Sequence, residues 1–183
     1  MPPSQIPPDL NPGRFPGSFF DVAKAVLIAP KAFFSTMSRN GGFANPTLFL
    51  LACVGVHNLL ARPFMRAPGF FFQNILMGMI VPFVTAGIMF IILTRLFKSP
   101  GTYEATFRIN AYAAAVGLLS WIPVAGMFLE LYRFYLIVIG LRTIYTIKTP
   151  RAIITIVLTL IVYTVLFRML TNVTGVQFIK LSG

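Results

Sequence analysis

Glu130 and Arg133 come closer than any other residues in this chain to a chemical site. They lie three residues apart in an otherwise apolar stretch, so on a helix they share a face. An unpaired charge in such a stretch is costly, and a pair costs less. Two readings stand. One is a polar site inside a helical bundle, suited to a headgroup, an ion or a proton. The other is an intrahelical salt bridge near headgroup level. His57 and Asn58 are the second candidates, adjacent to each other towards the end of another apolar stretch. A contact between His57 and Glu130 across helices would respond to protons. The plainer alternative is an interfacial histidine with a satisfied ring nitrogen.

Other material for chemistry is scarce. Cys53 is the only cysteine and His57 the only histidine, which excludes an intrachain disulfide, a thiolate cluster and a two-histidine metal site. Four acidic residues leave little for general acid–base work. The chain contains no G-x-S-x-G, Walker loop or H-E-x-x-H pattern. The sequence therefore predicts a non-enzymatic protein without a cofactor or a metal, and Cys53 as a buried, inert thiol.

The elements that must position these residues are hydrophobic helices. Hydrophobic residues make up 57% of the chain and charged residues 10%, against roughly 25% charged in soluble domains. Too little polar surface remains to cover a globule. The fold class predicted is an all-α polytopic membrane bundle of about five transmembrane helices with an N-terminal interfacial amphipathic helix. Residues 1–18, rich in proline, read as an extended or disordered tail. Ser18 and Asp21 read as a capping box opening a helix over about 19–28. Pro30 starts a second short helix, and both are too short to span a bilayer. The spans read as 46–61, 70–94, 109–122, 124–145 and 152–167, within a membrane domain over 19–168. Residues 169–183 form a short tail.

Pro82 should kink the second span, its freed carbonyl being satisfied by a neighbouring helix. Asn110 and Tyr112 open the third span and should cap or bridge neighbours. Pro123 turns the third span tightly into the fourth. Ala113 and Gly117 form a small-xxx-small face for close helix approach, within the bundle or between two copies.

The net charge of +11 suits anionic headgroups meeting basic loops rather than nucleic acid. With five spans and a cytoplasmic N-terminus, the inside holds Arg14, Lys24, Lys31, Arg39, Arg95, Lys98, Arg108, Arg142, Lys148 and Arg151. The outside holds Arg62, Arg66, Arg168 and Lys180, and Arg133 falls within a span. The basic excess places the N-terminus in the cytoplasm. A bacterial inner membrane is the expected location.

Several motifs point to a family. Gly101, Thr102 and Tyr103 precede a span with Tyr112 near its start. Ile122, Pro123 and Gly126 form an I-P-x-x-G turn, and a span ends in the I-x-G run from Ile137 to Tyr145. Upstream stand Pro30, Phe33 and Phe34, then Asn45 and Pro46. Over residues 20–168 the chain resembles the Yip (Ypt-interacting protein) domain family in its bacterial form. The resemblance implies five spans, a cytoplasmic N-terminus and no enzymatic activity. Eukaryotic members are linked to small GTPases and vesicle traffic, but their D-L-Y-G-P motif has no counterpart here, where the corresponding region reads RAPGFFFQN.

The function expected is that of a membrane organiser or a subunit of a membrane protein complex, with a protein partner or a second copy. The alternative is a small transporter, channel or lipid-moving protein whose path is lined by His57, Asn58, Glu130 and Arg133. A transporter should carry repeats or paired broken helices. The sequence has one evident kink, at Pro82, and no convincing repeat.

Overall fold

A computed structural model describes residues 6–64, 68–121 and 123–174. Among these the regular structure is entirely helical: α1 (Gly17–Ile28), α2 (Pro30–Thr36), α3 (Ala44–Ala61), α4 (Pro68–Ile91), α5 (Tyr103–Ala113), α6 (Pro123–Tyr145) and α7 (Thr149–Thr174).

Local chemistry sets the boundaries. Pro30 disfavours helical geometry at Ala29, which sits at φ −133° and ψ 54°, so α1 stops and α2 starts on the proline. Thr102 caps α5 by accepting from the Ala105 amide at 3.1 Å, and Glu104 lies in the first turn, where the helix dipole favours an acid. Pro82 lies within α4 and removes the usual i+4 donor from the Gly78 carbonyl. α4 then loosens into a π turn over Ile92–Leu96.

α5 is the central element. Every residue from Ala105 to Ala113 is buried, polar ones included. The helix packs against α1, α3, α4 and α6. Around it lie Phe33, Phe34, Phe49, Leu136 and Leu141, fully enclosed like its own Phe107 and Tyr112. Tyrosines tie the layers together through backbone carbonyls. Tyr103 donates to Phe83 on α4 at 3.1 Å, Tyr132 to Leu27 on α1 at 2.6 Å, and Tyr145 to Thr102 at 2.9 Å. Such interhelical bonds contribute about 0.6 kcal/mol each where the alternative is hydrocarbon. Close packing needs glycine at Gly140, where an added Cβ would fall 2.6 Å from Ile109 Cγ2.

Among the described residues, three helices are long and apolar enough to cross a membrane: Ala44–Ala61, Phe71–Leu96 and Thr149–Asn172. The outer face of α7 exposes Ile153, Val157, Leu160, Ile161 and Val165. No soluble protein of this size could present such a row to water. The chain is an integral, multi-pass membrane protein.

The structure departs from the sequence reading in five places. The proline-rich segment is packed from Ile6 onward, because Ile6 and Leu10 bury their side chains and Asp9 is bonded to the bundle. Ser18 caps nothing; its hydroxyl donates to the Asn11 carbonyl at 2.6 Å, and Pro16 holds the N-cap position. The segment read as a third span starts six residues earlier, at Tyr103, and its α-helix ends at Ala113. A 3-10 turn over Ala114–Leu118 follows, so Ala113 and Gly117 share no α-helical face. A Cβ at Gly117 would meet nothing within 4 Å, so this glycine serves no close helix approach within the bundle. The last helix runs on to Thr174, beyond the expected end at Phe167.

Candidate functional site

Two polar centres stand out. The first gathers the residues singled out by sequence. His57, Asn58, Glu130 and Arg133 line one cleft of about 370 Å³, with Cys53, Asn74, Gly78, Pro82, Gly117 and Ser120. α3, α4 and α6 supply its walls, and the turn after α5 closes one side.

Each polar group is held differently. Arg133 and Glu130 form an i,i+3 ion pair at 3.8 Å with both side chains partly exposed. His57 bonds across to the turn rather than to Glu130: its Nδ1 donates to the Gly117 carbonyl at 2.9 Å, with the Ser120 hydroxyl at 3.4 Å. Gly117 thus contributes a carbonyl, where sequence reasoning expected a packing surface. Asn58 is 1% exposed. Its Nδ2 donates to the Val54 carbonyl at 2.8 Å, which fixes the amide orientation, and its Oδ1 has no partner. Pro82 is buried in the opposite wall. The backbone of Pro123 opens α6, and its side chain lies outside the described residues.

The second centre was not foreseen. Arg108, counted above among loop cations, is 0% exposed. Its guanidinium donates to Asp9 and, at 2.8 Å, to the Gly42 carbonyl, and lies 3.9 Å from Glu104. Asp9 also accepts from the Tyr112 hydroxyl, from its neighbour Leu10 at 2.9 Å and from Asn45 at 3.4 Å. Glu104 accepts from the Gly42 amide at 2.6 Å. Tyr112 therefore does bridge neighbours, and Phe33 and Phe49 pack on its ring. Asn110, by contrast, turns back on its own helix, donating to Thr106 at 3.0 Å, and touches the Met89 sulfur. Two signals in the sequence pointed to this centre. Ile6 and Leu10 are apolar anchors four apart around Asp9, and Glu104 and Arg108 stand at helical spacing.

Among the described residues, no group of three His, Cys, Asp or Glu side chains is placed to hold a metal ion. Both centres bind protein to protein, in a bundle whose outer surface is apolar. Together they define a polytopic helical membrane protein. The Yip1 domain model matches residues 24–169, and the chain belongs to the Yip1 domain family. That family is non-enzymatic. No curated protein and no solved structure matches the chain. Motif residues of the family meet each other in the fold: a Cβ on Gly101 would strike the ring of Tyr145.

Proposed function

We propose that this chain organises a membrane protein complex, as a subunit or scaffold in a bacterial inner membrane. Five helices span the bilayer, namely α3, α4, α5 with its 3-10 extension, α6 and α7. α1 and α2 lie at the cytoplasmic interface, and the basic loops on that side meet anionic headgroups.

The observation that carries this reading is the fate of the acids. Asp9 and Glu104 enclose Arg108, and Glu130 holds Arg133. Only Asp21, exposed on α1, is left over. Acids already paired with arginines leave surfaces, rather than a reactive group, as the means of action. α5 supports the count of five. With its extension to Leu118 it is about 26 Å long, and its neighbours shield its polar residues from lipid.

Gentle purification in nanodiscs followed by mass spectrometry tests the role. A stoichiometric protein partner, or a defined homo-oligomer, is expected. A monomer that passes solute across liposomes would overturn the reading in favour of a transporter. Orientation is tested with a membrane-impermeant maleimide on intact cells, in a Cys53→Ser background. Leu119→Cys should label and Lys148→Cys should not; the reverse pattern overturns the topology.

A further inference from the structure

The cleft contains an unmet need. Asn58 Oδ1 is an acceptor inside a nearly fully buried residue, and nothing bonds to it. Leaving such an atom unpaired is costly, because the acceptor has lost its water and gained nothing in exchange. The amide cannot flip to escape, since that would set its oxygen against the Val54 carbonyl now bonded to Nδ2. Across the cleft stands Pro82 on α4. The Asn58 acceptor thus calls for a donor to enter from outside.

Charge narrows the class of occupant. Glu130 and Arg133 sit on the cleft wall, separated by a long 3.8 Å contact and partly open. Their charges cancel. An occupant with a net charge would leave one of them in excess, whereas a zwitterion satisfies both. Its ammonium can meet Glu130 and Asn58 Oδ1 while its phosphate meets Arg133. A quaternary ammonium has no N–H to give Asn58; a primary one has three. Exposed apolar side chains adjoin the lining residues in sequence, with Leu59 after Asn58, Leu76 before Met77 and Leu131 after Glu130. These suit acyl chains.

We propose that this cleft binds a primary ammonium carried beside a phosphate, as in the headgroup of phosphatidylethanolamine. The assignment stands independently of whether the chain has a protein partner.

The test is native mass spectrometry of the full chain in micelles, titrated in parallel with phosphatidylethanolamine, phosphatidylcholine and phosphatidylglycerol. One phosphatidylethanolamine should bind per protein, roughly tenfold more tightly than either of the others, which is the effect of one charge-assisted hydrogen bond. Asn58→Leu and Glu130→Gln, which remove the two acceptors of the ammonium, should each erase the preference over phosphatidylcholine. Glu130 is partly exposed, so its variant folds even if the Asn58 variant does not. Equal binding of all three lipids, or a preference over phosphatidylcholine that survives in Glu130→Gln, overturns the proposal. Water-soluble glycerophosphoethanolamine identifies the source. Competition at similar concentration assigns the site to the free headgroup, and failure to compete assigns it to the lipid; both outcomes support the chemistry. Binding of neither overturns it and leaves Asn58 to water.

Discussion

Asp9→Ala is the change that best tests how the chain is held. A carboxylate in a proline-rich N-terminal segment would ordinarily be dispensable. Here its loss leaves a guanidinium that is 0% exposed with Glu104 at 3.9 Å and one carbonyl as remaining partners. Breaking a buried pair by removing one partner costs about 3–5 kcal/mol, because the other charge stays enclosed. For a chain of this length, one kcal/mol moves the melting temperature by about 2–4 °C, so the expected fall is roughly 10 °C. Cys53 supplies the assay. It is the only cysteine and is 1% exposed, so a thiol-reactive dye in detergent reports unfolding directly. Glu130→Ala is the control, since a partly exposed pair contributes at most about 1 kcal/mol. Asp9→Leu combined with Arg108→Met should regain much of the loss, since apolar replacement of both partners is often neutral. The reasoning is refuted if Asp9→Ala melts within about 2 °C of the wild-type chain. Residues 6–16 would then be a passive tail.

Other changes discriminate between packing and chemistry. Gly140→Ala should destabilise by about 1–3 kcal/mol, because its Cβ would overlap Ile109, whereas Gly117→Ala should be neutral in the same thermal assay. Tyr103→Phe removes the bond to the Phe83 carbonyl and should lower stability by about 0.6 kcal/mol with no change in fold by circular dichroism. For the ion pair on α6, a double-mutant cycle of Glu130→Gln and Arg133→Gln should return a coupling below about 1 kcal/mol in stability.

The helices were legible because their apolar runs and punctuating prolines are local signals. Pro30 and Pro123 open α2 and α6, and Pro82 lies within α4. The cleft residues were legible as well, since an ionisable or amide group in an apolar run must find a polar neighbour. What each one bonds to was not. His57 could be paired on paper with Glu130, but the turn after α5 brings the Gly117 carbonyl nearer. That turn was itself hidden, since AYAAAVG has the composition of a helix, and its 3-10 geometry occurs where it packs among α1, α3 and α6. The Asp9–Arg108 pair escaped for a deeper reason. The two residues are 99 positions apart, and proline content argues for disorder unless something distant rewards order. Ile6, Leu10 and Asp9 supply that reward together.

The arrangement of the two centres carries a last consequence. Asn45 belongs to the Arg108 centre and Asn58 to the cleft, and α3 separates them by 13 positions, or about 20 Å. Between them α3 is apolar from Leu48 to Val56. Polar groups at each end of an apolar helix suit a bilayer, with one end shut by ion pairs and the other left open. Sites so far apart, with no shared partner, should perturb each other by no more than about 0.5 kcal/mol. Trypsin provides the readout at the closed end, because Arg14 sits in an exposed turn beside the Asp9 segment. Asp9→Ala should speed cleavage there and leave lipid preference unchanged. Asn58→Leu should alter lipid preference and leave cleavage unchanged. If either variant moves both readouts, the bundle responds as one unit, and the separation of a structural end from a binding end fails.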